Sequence, residues 1–329
     1  MYKVIVAKTT YNLEKYIAEA LDSVLNQKTD FKFLIRVADD CSTDRTPEIL
    51  QEYERKYPDL IQVVYSENNI GSLANSNRLF DHIECEYFSF LDGDDYWVDE
   101  NRLQKQVDFM DSHPDYSMVT GNTQYLRDGV LSDYLIDDKY LNNTFTYDDF
   151  LKSRMPFFHT SAILVRNTIF INGLPDVYKS VLGTFEECAL RGEDSRRYIH
   201  MRKGPVYIMA DLFSVYRIHD MGTWQGKSYV RQILEGAIQY NFFNKYFDDK
   251  PSKVFFRNRF NALYAKILMG LFRLNNNSDK YKYSRKDVEL LSSLLLDMSL
   301  NSSDNNRECQ RFNKVDSYME KLISKFFKN

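Results

Sequence analysis

The sequence predicts an α/β fold, a mostly parallel sheet with helices on both faces, followed by an α-helical C-terminal region. Apolar strand-like runs alternate with amphipathic helical spacing from Val4 to Leu91, the order that parallel sheets require. Each strand-like run ends in a polar cluster, and in such sheets ligands bind beyond the carboxyl ends of the strands. Beyond Ser228 the pattern turns to helical spacing throughout. This places a catalytic domain over residues 1–224 and a helical region over 225–329.

Val4 to Ala7 reads as the first strand, and Ile17, Leu21, Val24 and Leu25 then recur on one helical face. Leu34 to Ala38 is the second strand. Thr46-Pro47 opens a helix, with proline at a position where its missing amide costs nothing, and Ile49, Leu50 and Tyr53 give that helix its apolar side. Ile61 to Tyr65 and Tyr87 to Leu91 are the third and fourth strands. Ser161 to Val165 and Val206 to Met209 are strand-like segments of the same domain. In the tail, Phe256 to Leu271 and Phe312 to Phe326 keep helical spacing, separated by the polar linkers Asn275 to Asp279 and Asn301 to Asn306.

The 329 residues are enough for a sizeable core. Charge is unevenly spread: residues 1–249 carry 27 Lys and Arg against 39 Asp and Glu, whereas residues 250–329 carry 16 against 8. An acidic front half excludes a nucleic-acid groove, which needs a basic stripe, and suits a metal site. Cys41, Cys85, Cys188 and Cys309 show no paired spacing and read as reduced thiols. The opening Met1 to Ala7, interrupted at Lys8, is too short for a signal peptide, and no segment has the ~18 apolar residues of a spanning helix. A cytoplasmic protein is expected, with peripheral contact at the inner face of the cell membrane as a role open to the tail.

The most informative stretch is Phe90-Leu91-Asp92-Gly93-Asp94-Asp95-Tyr96-Trp97. Carboxylates crowded at a strand end repel one another unless a cation or hydrogen-bond donors compensate them. A divalent metal on a diphosphate would do so, since hard cations take carboxylates, phosphate and water as ligands. An acidic turn, with Asp95 capping a helix from Val98 to Met110, accounts for the run equally well.

Thr10-Tyr11-Asn12 after strand one, Asp39-Asp40-Cys41-Ser42-Thr43-Asp44 after strand two, Asn69-Ile70-Gly71 with Asn77, and Leu91-Asp92-Gly93-Asp94-Asp95 after strand four occur in order. Gly192-Glu193-Asp194 and Val215-Tyr216-Arg217-Ile218-His219 follow. Together they resemble the family 2 glycosyltransferases of GT-A fold, inverting enzymes, over roughly two thirds of the chain. The resemblance implies that Asp39 accepts a hydrogen bond from uracil, that Thr9, Tyr11 and Glu14 surround the base, and that Asn69 and Asn77 belong to the donor site. It implies further that Asp92 binds the ribose, Asp94 binds Mn2+ or Mg2+ with His219 as a further ligand, Arg217 contacts the diphosphate and Asp194 is the general base. Thr9 stands where the family usually has proline, and Ser76 where an arginine commonly precedes the asparagine.

Plainer readings stand beside these. Asp40 and Asp44 organise a turn, and Asn69 and Asn77 also suit turns and caps. His82, His113 and His200 are structural. Glu193, His159 and Trp224 are acceptor-side candidates, although a semi-buried histidine and a core tryptophan explain the last two as well. The resemblance therefore implies an inverting, metal-dependent transferase moving a sugar from a UDP-sugar to a glycan or lipid-linked glycan acceptor of a bacterial surface polymer. A sugar-1-phosphate nucleotidyltransferase would need a glycine-rich loop that Thr9 to Leu13 lacks. A non-catalytic carbohydrate-binding assembly subunit would not need the carboxylates. The basic, aromatic tail fits packing, homo-oligomerisation or a membrane surface.

Overall fold

A computed structural model describes residues 1–81, 84–219, 222, 226–272 and 282–300. Trp224, the two polar linkers and the pattern from Phe312 to Phe326 lie outside the described residues. Contacts divide the chain into two compact units, Met1–Leu182 with Arg191–His219, and Gly183–Leu190 with the tail.

In the first unit the chain runs β1 (Tyr2–Thr10), α1 (Ile17–Leu25), β2 (Phe33–Asp39), α2 (Thr46–Lys56), β3 (Ile61–Tyr65), α3 (Ser72–Asn77) and β4 (Cys85–Phe90). It continues through β5 (Tyr96–Trp97), α4 (Arg102–Ser112), β6 (Met118–Arg127), β7 (Val130–Tyr134), β8 (Asn143–Phe145), α5 (Tyr147–Leu151), β9 (Leu164–Arg166), α6 (Asp176–Ser180), α7 (Gly192–His200) and β10 (Val206–Ile218). One sheet takes the order β3-β2-β1-β4-β9-β6-β10-β5, with β7 on β6 and β8 on β10. β1, β2, β3 and β4 are parallel neighbours, as the sequence predicts, and β6 and β10 are a second parallel pair. β9 runs antiparallel between β4 and β6 and joins the two parallel sets.

The core on one face of the sheet draws Val4 and Val6 from β1, Ile35 and Val37 from β2, Ile17, Leu21 and Val24 from α1, and Leu103, Val107 and Met110 from α4. Each buried aliphatic side chain contributes about 1.5–3 kcal/mol, and Val4, Ile5, Val6 and Ala7 are all buried, so β1 is apolar on both faces, as a central parallel strand requires. The helix expected over Val98 to Met110 begins later, at Arg102, and Asp95 does not cap it. The reason is that Tyr96 and Trp97 form β5 against Val215 and Ser214 of β10, so the acidic run ends in a strand. Trp97 is buried, with its indole Nε1 donating to the Ser161 carbonyl at 2.8 Å, which settles it as a core residue. Arg102 is completely buried over the Trp97 ring at 3.8 Å and donates to Ser89 Oγ at 3.0 Å and Gln106 Oε1 at 3.1 Å, tying α4 to β4 and β5.

The second unit contains α8 (Tyr229–Tyr246), α9 (Lys250–Phe272) and α10 (Arg285–Leu300). Its core joins Val230, Leu234, Ala237 and Ile238 of α8 to Phe260 and Ile267 of α9 and Val288, Leu291 and Leu294 of α10. Buried Glu235 is compensated by Lys227 at 2.7 Å and Arg231 at 2.9 Å, as a buried carboxylate requires. No helix among the described residues is long and apolar enough to cross a membrane.

Gly121 tests the packing of β6 on β10. A Cβ there would lie 2.3 Å from Phe213 Cδ2 and 2.7 Å from the Asp211 carbonyl oxygen, and backbone cannot move aside as a side chain can. Gly121→Ala is expected to cost about 1–3 kcal/mol, read as a lower midpoint in chemical denaturation.

Candidate active site

The loops after β1 and β2 are knitted together by short polar side chains. Asn12, at φ 55°, accepts from the Thr43 amide at 2.8 Å, and its own amide donates to Ser42 Oγ at 2.9 Å. Asp44 accepts from the amides of Glu14 and Thr46 at 3.0 and 2.9 Å; these bonds outweigh the opposing effect of partial burial and hold its carboxyl below the usual range. Glu14, on the exposed side, accepts from the Arg45 amide at 3.0 Å. Asp39 is buried and accepts from Thr10 Oγ1 at 2.8 Å and from the Ser42 amide and hydroxyl at 3.0 and 2.6 Å. Asp40 takes the amides of Ile70 and Gly71 at 2.7 and 3.0 Å, so it holds the loop that carries Asn69. Tyr11 stands exposed at the rim.

The acidic run turns sharply after β4, and Gly93 makes that possible. A Cβ at this residue would meet Leu13 Cδ1 at 2.2 Å and the Thr9 carbonyl oxygen at 3.1 Å, so the run lies directly against the loop after β1. Three partners from distant positions then hold its members. Asp95, almost fully buried, accepts from Ser161 Oγ at 2.6 Å and from the Arg217 amide at 3.0 Å. Asp94 Oδ2 lies 2.9 Å from His219 Nε2, and the Asp94 carbonyl accepts from Arg217 Nε at 2.8 Å. Arg217 continues to Glu19 at 2.6 Å and lies over the rings of Tyr16 and Tyr96. The end of β10 thus supplies both the imidazole and the guanidinium to the loop after β4.

Burial drives the Asp95 carboxyl well above the usual carboxylate range, and Asp94 and Asp92 push the same way, against the lowering effect of nearby His159 and the Ser161 hydroxyl. Beneath the run lies Lys8, 1% exposed, with Nζ donating to the Asp92 carbonyl at 3.1 Å. Burial brings its ammonium down to about 8, while Asp92, Asp94 and Asp95 pull it back up.

Two sets of atoms here suit a divalent cation. One is Asp94 with His219, whose side chains are 21% and 15% exposed. The other is Asp92, Asp95 and His159, whose ligand atoms lie within 4.8 Å of one another. In the second set Asp95 is already engaged by two donors, and His159 is stacked on Tyr216 with Nδ1 accepting the Ser161 amide at 3.3 Å. The first set is the better fit, because a carboxylate and an imidazole meet there with room for further ligands.

Beside Asp92, a small open pocket is lined by Thr9, Ser76, Thr160 and Arg196, the last lying over the Phe90 ring at 4.1 Å. The remaining residues singled out in the sequence have these settings. Asn77 is buried with Nδ2 on the Tyr178 carbonyl at 3.1 Å, an anchor for the end of α3. His159 is buried against Asp95. Asp194, on α7, is paired with Arg197 and 40% exposed. Glu193 belongs to the same helix, whose first residue, Gly192, has φ 73°. His113 bonds the Phe109 carbonyl at 2.8 Å, and His200 is buried, its pKa brought down to about 3 by burial and by Arg196.

Sequence reasoning missed Lys8, Ser161, Glu19 and Arg196. Lys8 left a trace, a charge within an otherwise apolar strand. The others had no local signal, since each acts through a partner far along the chain.

The profile of glycosyl transferase family 2 matches residues 5–174. A protein of Mycobacterium tuberculosis with no assigned activity is 30% identical over 222 residues, covering 67% of this chain and 60% of that protein. The chain thus spans about 60% of the length of these relatives. A Bacillus subtilis protein named for glycosyl transfer in teichuronic acid biosynthesis, TuaG, is 38% identical over 144 residues, 44% of this chain and 55% of TuaG. Among solved structures, Staphylococcus aureus TarS 1–349 in complex with UDP-GlcNAc aligns with a TM-score of 0.59 at 19% identity, covering 89% of this chain and 80% of that one. That likeness shows a shared fold, the GT-A fold implied by the sequence motifs.

The Asp40 contacts give a direct test of how the loop after β3 is held. Asp40→Ala leaves the amides of Ile70 and Gly71 without their acceptor, a loss expected to cost about 1–3 kcal/mol. Hydrogen exchange at those two amides should accelerate while the amides of β1 keep their protection.

Proposed function

The chain belongs to the family 2 glycosyltransferases, and from that premise we propose that it is an inverting, metal-dependent enzyme using a UDP-sugar. Its acceptor is a hydroxyl of a cell-surface glycan or lipid-linked glycan of the teichuronic or teichoic class. The observation that carries the reading is the 2.9 Å approach of Asp94 and His219 at the carboxyl ends of β4 and β10. Support for the donor comes from TarS, whose structure contains UDP-GlcNAc and whose sequence is 38% identical over 117 residues. Family membership sets aside the nucleotidyltransferase.

Asp94 and His219 would hold Mn2+ or Mg2+, which when bound neutralises charge that develops on the departing diphosphate. Asp39, with Thr9, Tyr11, Glu14 and Asn69 around it, is assigned to the uracil end of the donor. Its carboxylate is oriented by Thr10 and Ser42, so it presents a fixed acceptor to an imide N–H. Asp92 is assigned to the ribose. Arg217 keeps Asp94 in place through the loop carbonyl and brings positive charge near the diphosphate. Asp194, which pairs with Arg197, is assigned as the base that removes the proton from the attacking hydroxyl. The helical region is assigned to oligomerisation, acceptor positioning or contact with the inner membrane surface. Cys41, Cys85 and Cys188 are free thiols, in keeping with the cytoplasmic side.

Asp94→Asn should weaken metal-dependent UDP binding at least about tenfold in calorimetry, with the fold intact by circular dichroism. Unchanged UDP affinity and metal dependence in a folded variant would remove Asp94 from the metal site. Asp194→Asn should cut turnover by roughly 10²–10⁴-fold while UDP and metal binding stay close to normal, and Glu193→Gln should lose less. The reverse ranking of these two would move the base to Glu193.

A further inference from the structure

A lysine buried in a strand has no reason to be charged there unless something nearby needs the charge. Lys8 is 1% exposed near the carboxyl end of β1. Side chains alternate along a strand, so Lys8 shares its face with Val4 and Val6 of the core, opposite Ala7 and Thr9, which line the pocket. Its ammonium therefore sits behind the acidic run and does not enter the pocket. Nζ donates to the Asp92 carbonyl at 3.1 Å and forms no ion pair among the described residues. Asp92, Asp94 and Asp95 act on it through space.

We propose that Lys8 is a resident counter-cation for the acidic run, a positioning residue that holds residues 92–95 in place without metal and disfavours a bare divalent cation. The inference rests on the assignment of a metal to Asp94 and His219. Three carboxylates within four residues attract a dication strongly by themselves. A fixed positive charge behind them offsets part of that attraction, and a diphosphate in the pocket adds an attraction of its own that makes up for the offset. Metal is thus retained together with the nucleotide rather than ahead of it.

The test is calorimetry of Mn2+ binding to the full chain, with and without UDP, for the native protein, Lys8→Met and Lys8→Gln. Both substitutions remove the charge, and glutamine retains a donor for the Asp92 carbonyl. Bare Mn2+ should bind at least about fivefold more tightly to the variants, while UDP without metal, itself an anion, should bind them less tightly than the native chain. A lysine that served only packing or the hydrogen bond would give the opposite sign, weaker Mn2+ binding on its removal. Unchanged or weaker bare Mn2+ binding in folded Lys8→Gln overturns the proposal. Thermal melts in chelator provide a second readout: the variants should melt lower than the native chain and recover with Mn2+ alone. If both variants stay unfolded with and without Mn2+, the lysine serves the fold and the proposal is overturned. A native chain that binds neither Mn2+ nor UDP sinks the metal assignment and this inference together, whereas native binding with unaltered variants sinks this inference alone.

Discussion

Mutual repulsion among Asp92, Asp94 and Asp95 is the constraint around which the site is organised. Three carboxylates in so short a loop must be compensated, and the fold compensates each differently. Asp95 is buried and given the Ser161 hydroxyl and the Arg217 amide. Asp94 stays partly open and is given an imidazole. Asp92 lies at the pocket, with the Lys8 ammonium on its carbonyl behind it. The same local charge density thus yields one structural carboxylate and two accessible ones, a division set by burial and not by residue type.

The sheet order explains how those partners arrive. β9 enters antiparallel between β4 and β6 and brings Ser161 alongside the loop after β4. β10 then returns parallel to β6, and its last residues, with His219 just beyond, reach the same place. The short β5 pairs with β10 and pins Trp97 over Arg102, so the acidic run is clamped at its far end as well as at Gly93. A loop held at both ends spends little binding energy on ordering when a ligand arrives.

The side assigned above to the nucleotide is built on another plan. There the loops after β1 and β2 exchange side chain to backbone hydrogen bonds through Asn12, Ser42 and Asp44, and Asp40 draws in the loop after β3. Short polar side chains replace water as partners for backbone groups that leave the strands, which fixes the loops without an apolar core of their own. Exposed Tyr11 stands on this rigid base, a suitable arrangement for stacking on a flat ring.

Sequence by itself determined the parallel half of the sheet, because apolar runs and helical spacing are local patterns that repeat within a few residues. It also determined that the polar clusters after β1, β2 and β4 share one edge, because parallel strands place their carboxyl ends together. Asp40 and Asp44 as loop organisers were legible for the same local reasons. The start of α4 was not, since pairing of Trp97 with Ser214 replaces the helical conformation its neighbours favour. Nor could local pattern distinguish Asp94 from Asp95, adjacent residues of one type, as open and closed members of the run. Only tertiary structure decided that, through Ser161 and Arg217 on one side and His219 on the other. It likewise turned Asn77 toward Tyr178 and His159 toward Asp95, and gave Lys8 a purpose, because compensation of buried charge depends on distance in space and carries no signature along the chain.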